Sequence, residues 1–99
     1  MAATIDGVCR YLRIERESRQ AAEAERMMLA ACAYLLGAGI PDTAQNDPRY
    51  EQAVYMIACE WYDKRGLTAD GRGDVSIGAR QLIKQLQYDA QYKGVNAHG

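Results

Sequence analysis

Apolar positions recur at helical spacing in four runs, and the stretches between them are polar or rich in glycine. Ile5, Val8 and Leu12 share one face of a short first helix, with Thr4 as its cap and Asp6 in its first turn. Gly7 weakens that helix. Ser18 is placed to cap a longer second helix, whose central stripe is Ala24, Met28, Ala31 and Leu35, flanked by Met27 and Tyr34. Gly37 and Gly39 provide a left-handed stop, Ile40-Pro41 prevents continuation, and residues 41–47 read as a polar loop. Asp47-Pro48 reads as a cap followed by proline at the first helical position, opening a third helix that runs to Lys64. Ser76 caps a fourth, with Ala79, Leu82, Ile83, Leu86 and Ala90 toward the core and Gly94 as its end. The pattern predicts an all-α chain, one domain over residues 1–99, with helices at about 4–12, 18–36, 48–64 and 76–93.

The third helix is unusual. At about 100° per residue, Tyr50, Ala53, Val54, Ile57 and Trp61 form one face. Tyr55, Cys59 and Tyr62 lie on the other side, with Met56 at the flank. A helix apolar nearly all round belongs in the middle of a large protein. A chain of 99 residues has few neighbours to offer it. The expectation is that the face led by Tyr55, Cys59 and Tyr62 remains open and meets another subunit. Arg65, just past the Trp61-Tyr62 pair, either satisfies the last carbonyls of the helix or anchors the same contact.

Composition sharpens this picture. There is no Phe and one Trp, so seven Tyr supply nearly all the aromatic area. Each carries a hydroxyl that needs a partner when buried, which suits interfaces better than a dry core. The net charge of −1 argues against a nucleic-acid binder held by bulk electrostatics. No signal pattern opens the chain, and no run approaches the ~20 apolar residues that span a bilayer. The expectation is a soluble protein made in a cytosol.

Candidate chemistry is thin. Cys9, Cys32 and Cys59 form no CxxC pair, and the single histidine, His98, lies beside the C-terminus, so zinc has too few ligands at usable spacing. The thiols read as free, packed as small hydrophobes in a reducing compartment. The loop Asp70-Gly71-Arg72-Gly73-Asp74 has neither calcium-loop spacing nor a P-loop ending. Glu60, Asp63 and Lys64 read as a solvated helix set, not as an acid–base pair. With no base, nucleophile or metal set, the chain reads as non-enzymatic and without a cofactor. Tyr88 and Tyr92, one turn apart on the fourth helix opposite Leu82 and Leu86, read either as a solvated aromatic pair or as a ladder suited to docking, with docking the favoured reading.

Taken in order, these residues resemble the head–tail connector (adaptor, or DNA-packaging neck) proteins of tailed bacteriophages. The likeness begins at Thr4-Ile5 and Tyr11-Leu12-Arg13-Ile14 and continues through the Ala-rich run Met27 to Leu36. It is strongest at the aromatic ending Trp61-Tyr62-Asp63-Lys64-Arg65, and it resumes at Ile77-Gly78 with Leu82-Ile83. The mixed charges of Glu15-Arg16-Glu17-Ser18-Arg19 depart from the acidic pair that the family often places there. The resemblance implies a virion protein without catalytic activity that forms a ring, commonly twelve-fold, beneath the portal. Such a ring continues the DNA channel without reading sequence and carries the next neck or tail-completion protein. It also implies portal docking through the last helix and the C-terminal segment, including Arg80, Lys84, Tyr88 and Tyr92.

A competing reading is a small phage- or prophage-encoded regulatory or DNA-binding protein. A helix-turn-helix needs a tight turn of about three or four residues and a basic recognition helix. Here the connection before the third helix is longer and contains Pro41, and that helix is aromatic and acidic.

Overall fold

Capping chemistry sets the start of three of the four helices. The computed structural model describes residues 3–64, 75–89 and 91. Among them are four α-helices, α1 (Ile5–Leu12), α2 (Arg19–Gly37), α3 (Pro48–Lys64) and α4 (Ile77–Tyr88), with a short 3-10 turn over Asp42–Ala44. The all-α, single-domain expectation holds for these residues. Thr4 Oγ1 accepts the Gly7 N–H at 2.9 Å, Asp47 Oδ1 accepts the Arg49 N–H at 2.9 Å, and Ser76 Oγ accepts the Ala79 N–H at 3.3 Å. Each bond satisfies one of the donors that a helix start leaves unpaired.

Ser18 departs from expectation. It occupies the N-cap position of α2 but makes no capping bond. Its hydroxyl instead donates backward to the Glu15 carbonyl at 2.6 Å, closing the tight link between α1 and α2. A serine hydroxyl offers one proton, and here the local turn takes it.

Two helices end in the same way. After α1, Ile14 N–H reaches Cys9 O at 3.0 Å and Arg13 N–H reaches Arg10 O at 3.2 Å. After α2, Ile40 N–H reaches Leu35 O at 3.1 Å and Gly39 N–H reaches Leu36 O at 3.0 Å. This is the Schellman pattern, with an isoleucine folding back onto the core in each case. The left-handed residue is Gly39 after α2 (φ 89°) but Arg13 after α1 (φ 61°), where a side chain must tolerate a disfavoured backbone. Gly37 stays within the helix, and the segment expected to be a plain loop contains the 3-10 turn that buries Ala44.

The core is organised around α3. Tyr50, Ala53, Val54, Ile57 and Trp61 are all buried, as the wheel predicts. The α2 stripe of Ala24, Met28, Ala31 and Leu35 packs against them, and the α2–α3 contact is the most extensive between the described helices. α4 adds Ala79, Ile83 and Leu86 on another flank of α3, while Leu82 is half-buried. Burying each large apolar side chain contributes about 1.5–3 kcal/mol. α4 ends at Tyr88 because Asp89 is extended (φ −67°, ψ 131°); Gln91 is again helical, and residues 90, 92 and 93 of the expected helix lie outside the described residues.

α1 covers the last side of α3. Tyr55 lies under it, and a Cβ added at Gly7 would overlap the Tyr55 hydroxyl. The contact therefore requires glycine at that position. Gly7→Ala should lower stability by about 1–3 kcal/mol despite alanine's better helix propensity, read from urea unfolding midpoints. Arg13→Gly should raise stability by up to ~1 kcal/mol in the same measurement, because it relieves the left-handed strain.

Candidate interaction surfaces

The aromatic side of α3 is where an open subunit interface is expected, and the structure corrects that expectation. Tyr55 is only 7% exposed, and its hydroxyl accepts the Thr4 N–H at 3.1 Å. Its ring lies 5.7 Å from that of Tyr11, tilted by 37°. Tyr62 is buried as well. The helix is apolar on this side because its own chain covers it, through the short α1 with Gly7 at the contact. Arg65 lies outside the described residues, as do Tyr92 and the loop Asp70–Asp74.

Cys59 alone of the described trio reaches solvent. It is half-buried, and its thiol points to Asp63 Oδ2 at 3.9 Å. Burial pushes this thiol's pKa up, and the neighbouring Asp63 and Glu60 add to the shift. The thiol lies in an open groove of about 280 Å³ lined by Tyr11, Met56, Cys59, Glu60, Asp63 and Ser76. Glu60 is spanned by an exposed ion pair to Lys64 at 3.7 Å, a contact of small energetic weight.

The face of α4 expected to dock a partner is solvent-facing as far as it is described. Ile77 is 73% exposed and Tyr88 69%, with Arg80, Gln81 and Lys84 exposed between them. Residues 77, 81, 84 and 88 fall within one narrow stripe at helical spacing. Arg80 is partly engaged, since its Nε donates to the Val75 carbonyl at 3.0 Å. Lys84 makes no ion pair among the described residues. No acidic residue occurs between Ile77 and Tyr88.

A third surface escapes the sequence reading. The outward side of α2 exposes Leu29 (52%) and Leu36 (60%), with Ala33 between them and Tyr34 beside. Tyr34 also meets the buried Trp61 edge-to-face, at 5.7 Å between ring centroids. The available signal is the absence of any charged residue from Met27 to Pro41. A helix with one buried side normally carries charge on the other. The Trp61 indole N–H is buried without a hydrogen-bond partner among the described residues.

Polar contacts that the sequence does not announce fix α4 in place. Arg49 donates through Nε and Nη2 to Asp47 at 3.1 and 2.8 Å, and through Nη2 to Asp89 at 2.8 Å. Gln87 Nε2 donates to the Ala38 carbonyl at 2.8 Å. Together they tie the end of α4 to the start of α3 and to the turn after α2. The Arg49 guanidinium holds the Asp89 carboxyl below the ordinary carboxylate range, and the Gln91 N–H assists. Deeper in the α2–α3 seam, burial and the adjacent Cys32 push the Tyr50 phenol up to about 12.

Among the described residues no group of three His, Cys, Asp or Glu side chains could hold a metal ion. Likewise, no helix among them is long and apolar enough to cross a membrane. Comparison of the chain with models of known families, with characterised proteins and with solved structures returns no match.

The buried placement of Tyr55 has a direct consequence. Tyr55→Glu should destabilise the monomer by at least ~3 kcal/mol, measured by chemical denaturation, because it puts an unpaired charge under α1. The ion pair makes a separate prediction with a defined sign. Because Asp89 has a lowered pKa in the folded chain, its contribution is complete above the ordinary carboxylate value of about 4. It is lost as pH falls through the lower folded value. The stability difference between the native chain and Asp89→Asn should therefore be constant near neutrality and close in acid, as followed by thermal melts across pH.

Proposed function

We propose that this chain is a structural virion protein: a head–tail connector subunit that assembles into a ring below the portal of a tailed bacteriophage. The ring continues the DNA channel and offers a platform to the next neck or tail-completion protein. On this reading the subunit is made in the host cytoplasm, resides in the virion neck, needs no cofactor and catalyses nothing. The order of sequence features from Thr4 to Tyr88 supplies the resemblance. One structural observation carries the reading further: two exposed faces on helices that flank α3. One is the uncharged outward side of α2, and the other is the acid-free stripe of α4.

Two unlike faces on one small chain suit a subunit that contacts a neighbour on each side. Contacts between unlike patches propagate and close into rings when the rotation permits. Exposed apolar patches of this kind mark interaction sites more often than they occur idly. The near-neutral charge fits a conduit, since a strongly basic lumen would retain DNA through its phosphates.

The regulatory, DNA-binding alternative gains no support from the geometry. The helix that follows the α2–α3 connection is the most buried one, and eight of its side chains are inside the core. It offers no basic face to a groove.

Mass measurement and electron microscopy of the purified chain, alone and with portal rings, test the proposal. A defined ring, or saturable binding to the portal, is expected. A chain that stays monomeric at high concentration and ignores portal rings would refute the connector reading. Leu36→Glu should weaken assembly while shifting unfolding stability by no more than ~0.5 kcal/mol, as befits an exposed site.

A further inference from the structure

We infer that the groove at the C-terminal end of α3 is the receptor for the α4 face of the adjacent copy, with Lys84 as the inserted side chain. The inference rests on the ring reading and names one contact between neighbouring subunits, assigning the α4 face to a neighbouring subunit and not to the portal.

The groove is chemically two-sided. Tyr11 and Met56 contribute apolar surface, and Glu60 and Asp63 contribute carboxylates. That combination fits a long aliphatic stem ending in a cation, which is how lysine and arginine bury their methylenes while keeping the charge hydrated. The volume of about 280 Å³ admits a side chain and not a helix. The carboxylates exclude a phosphate backbone, and no metal-holding group of three occurs there or elsewhere among the described residues.

The same chain carries the complement. Lys84 stands on a helix without a single acidic residue, flanked along the stripe by Ile77 and Tyr88, the two most exposed large apolar side chains among the described residues. Lys84 has no ion-pair partner among the described residues, and neither has Asp63. Lys84 does not reach the groove of its own chain, because Ser76 on the groove rim and Lys84 lie about 12 Å apart along the axis of α4. Only another copy can bring them together. Groove and stripe are different surfaces, so when one copy offers them to two different neighbours the contact is heterologous and leaves a free groove and a free stripe after each addition. Repeated contacts of this kind close into the proposed ring where the rotation permits.

Cys59 in the groove provides the test. Lys84→Cys should cross-link to the native Cys59 of the next copy with a short bis-maleimide, giving a ladder of oligomers on denaturing gels. The reaction is run at mildly alkaline pH because the Cys59 thiol has a raised pKa. The ladder should vanish when Cys59→Ser is added. In parallel, Lys84→Glu should weaken self-association about five- to tenfold, and Asp63→Lys in the same chain should restore most of it, as measured by sedimentation. Both positions are solvent-exposed, so circular dichroism should be unchanged. An assembled ring with no Cys59-dependent ladder and no rescue by the charge swap would overturn this inference while leaving the connector reading intact. A chain that is monomeric alone and on portal rings would remove both.

Discussion

The structure depends on how α1 closes over α3. A central helix with eight buried side chains needs cover on every side, and α2 and α4 leave the Tyr55 side bare. α1 is only eight residues long and contributes Val8 and Cys9 as its fully buried side chains. It can lie close enough because Gly7 presents no side chain to the Tyr55 hydroxyl. The Thr4 N–H then bonds that hydroxyl, so one tyrosine satisfies its own polar group and fixes the start of α1. What looks from the helix wheel like an excess of apolar surface is an internal seam. The large apolar side chains left exposed are consequently mostly those of α2 and α4.

α4 raises a different physical problem. It meets α3 through a narrow stripe of Ala79, Ile83 and Leu86 and leaves most of its girth in water. A helix so lightly packed could pivot about that stripe. The polar contacts at its C-terminal end oppose this motion, because Asp89 is gripped by Arg49 and Gln87 is bonded to the turn after α2. Arg49 is in turn oriented by two bonds to Asp47, the residue that also caps α3. A bidentate guanidinium is well suited to this task, since it adds direction as well as charge. The exposed stripe of Ile77, Lys84 and Tyr88 is thereby held at a fixed angle to the body of the protein.

The fold is largely readable from the sequence because its determinants are local. Thr4, Asp47-Pro48 and Ser76 announce helix starts through bonds spanning two or three residues, and the α2 and α3 stripes follow from periodicity alone. Ser18 misleads because its single proton serves a turn instead of a cap. The errors of greater consequence involve distance along the chain. Thr4 and Tyr55 are 51 positions apart, and Arg49 and Asp89 are 40 apart. No local pattern reveals that a glycine weakening a short helix is the condition for covering an aromatic face. The candidate surfaces divide likewise: the α4 residues Arg80, Lys84 and Tyr88 are legible as exposed because helical spacing places them away from a buried stripe, whereas the burial of Tyr55 depends on a partner helix that the wheel does not show.

The relocation of the exposed surface bears on how a ring could form. Had the α3 aromatic face been open, like would readily have met like, and a two-fold pair would be the natural product. With α3 sealed, the remaining surfaces differ in kind: an uncharged aliphatic side on α2, an acid-lined groove at the end of α3, and a cationic, aromatic stripe on α4. The carboxylates of the groove repel one another across a symmetric contact, and so do the cations of two α4 stripes. Unlike pairing relieves both repulsions at once. Repulsion between identical faces disfavours like-with-like contact and favours pairing of groove with stripe. It is a property of this chain's charge placement, independent of any family resemblance.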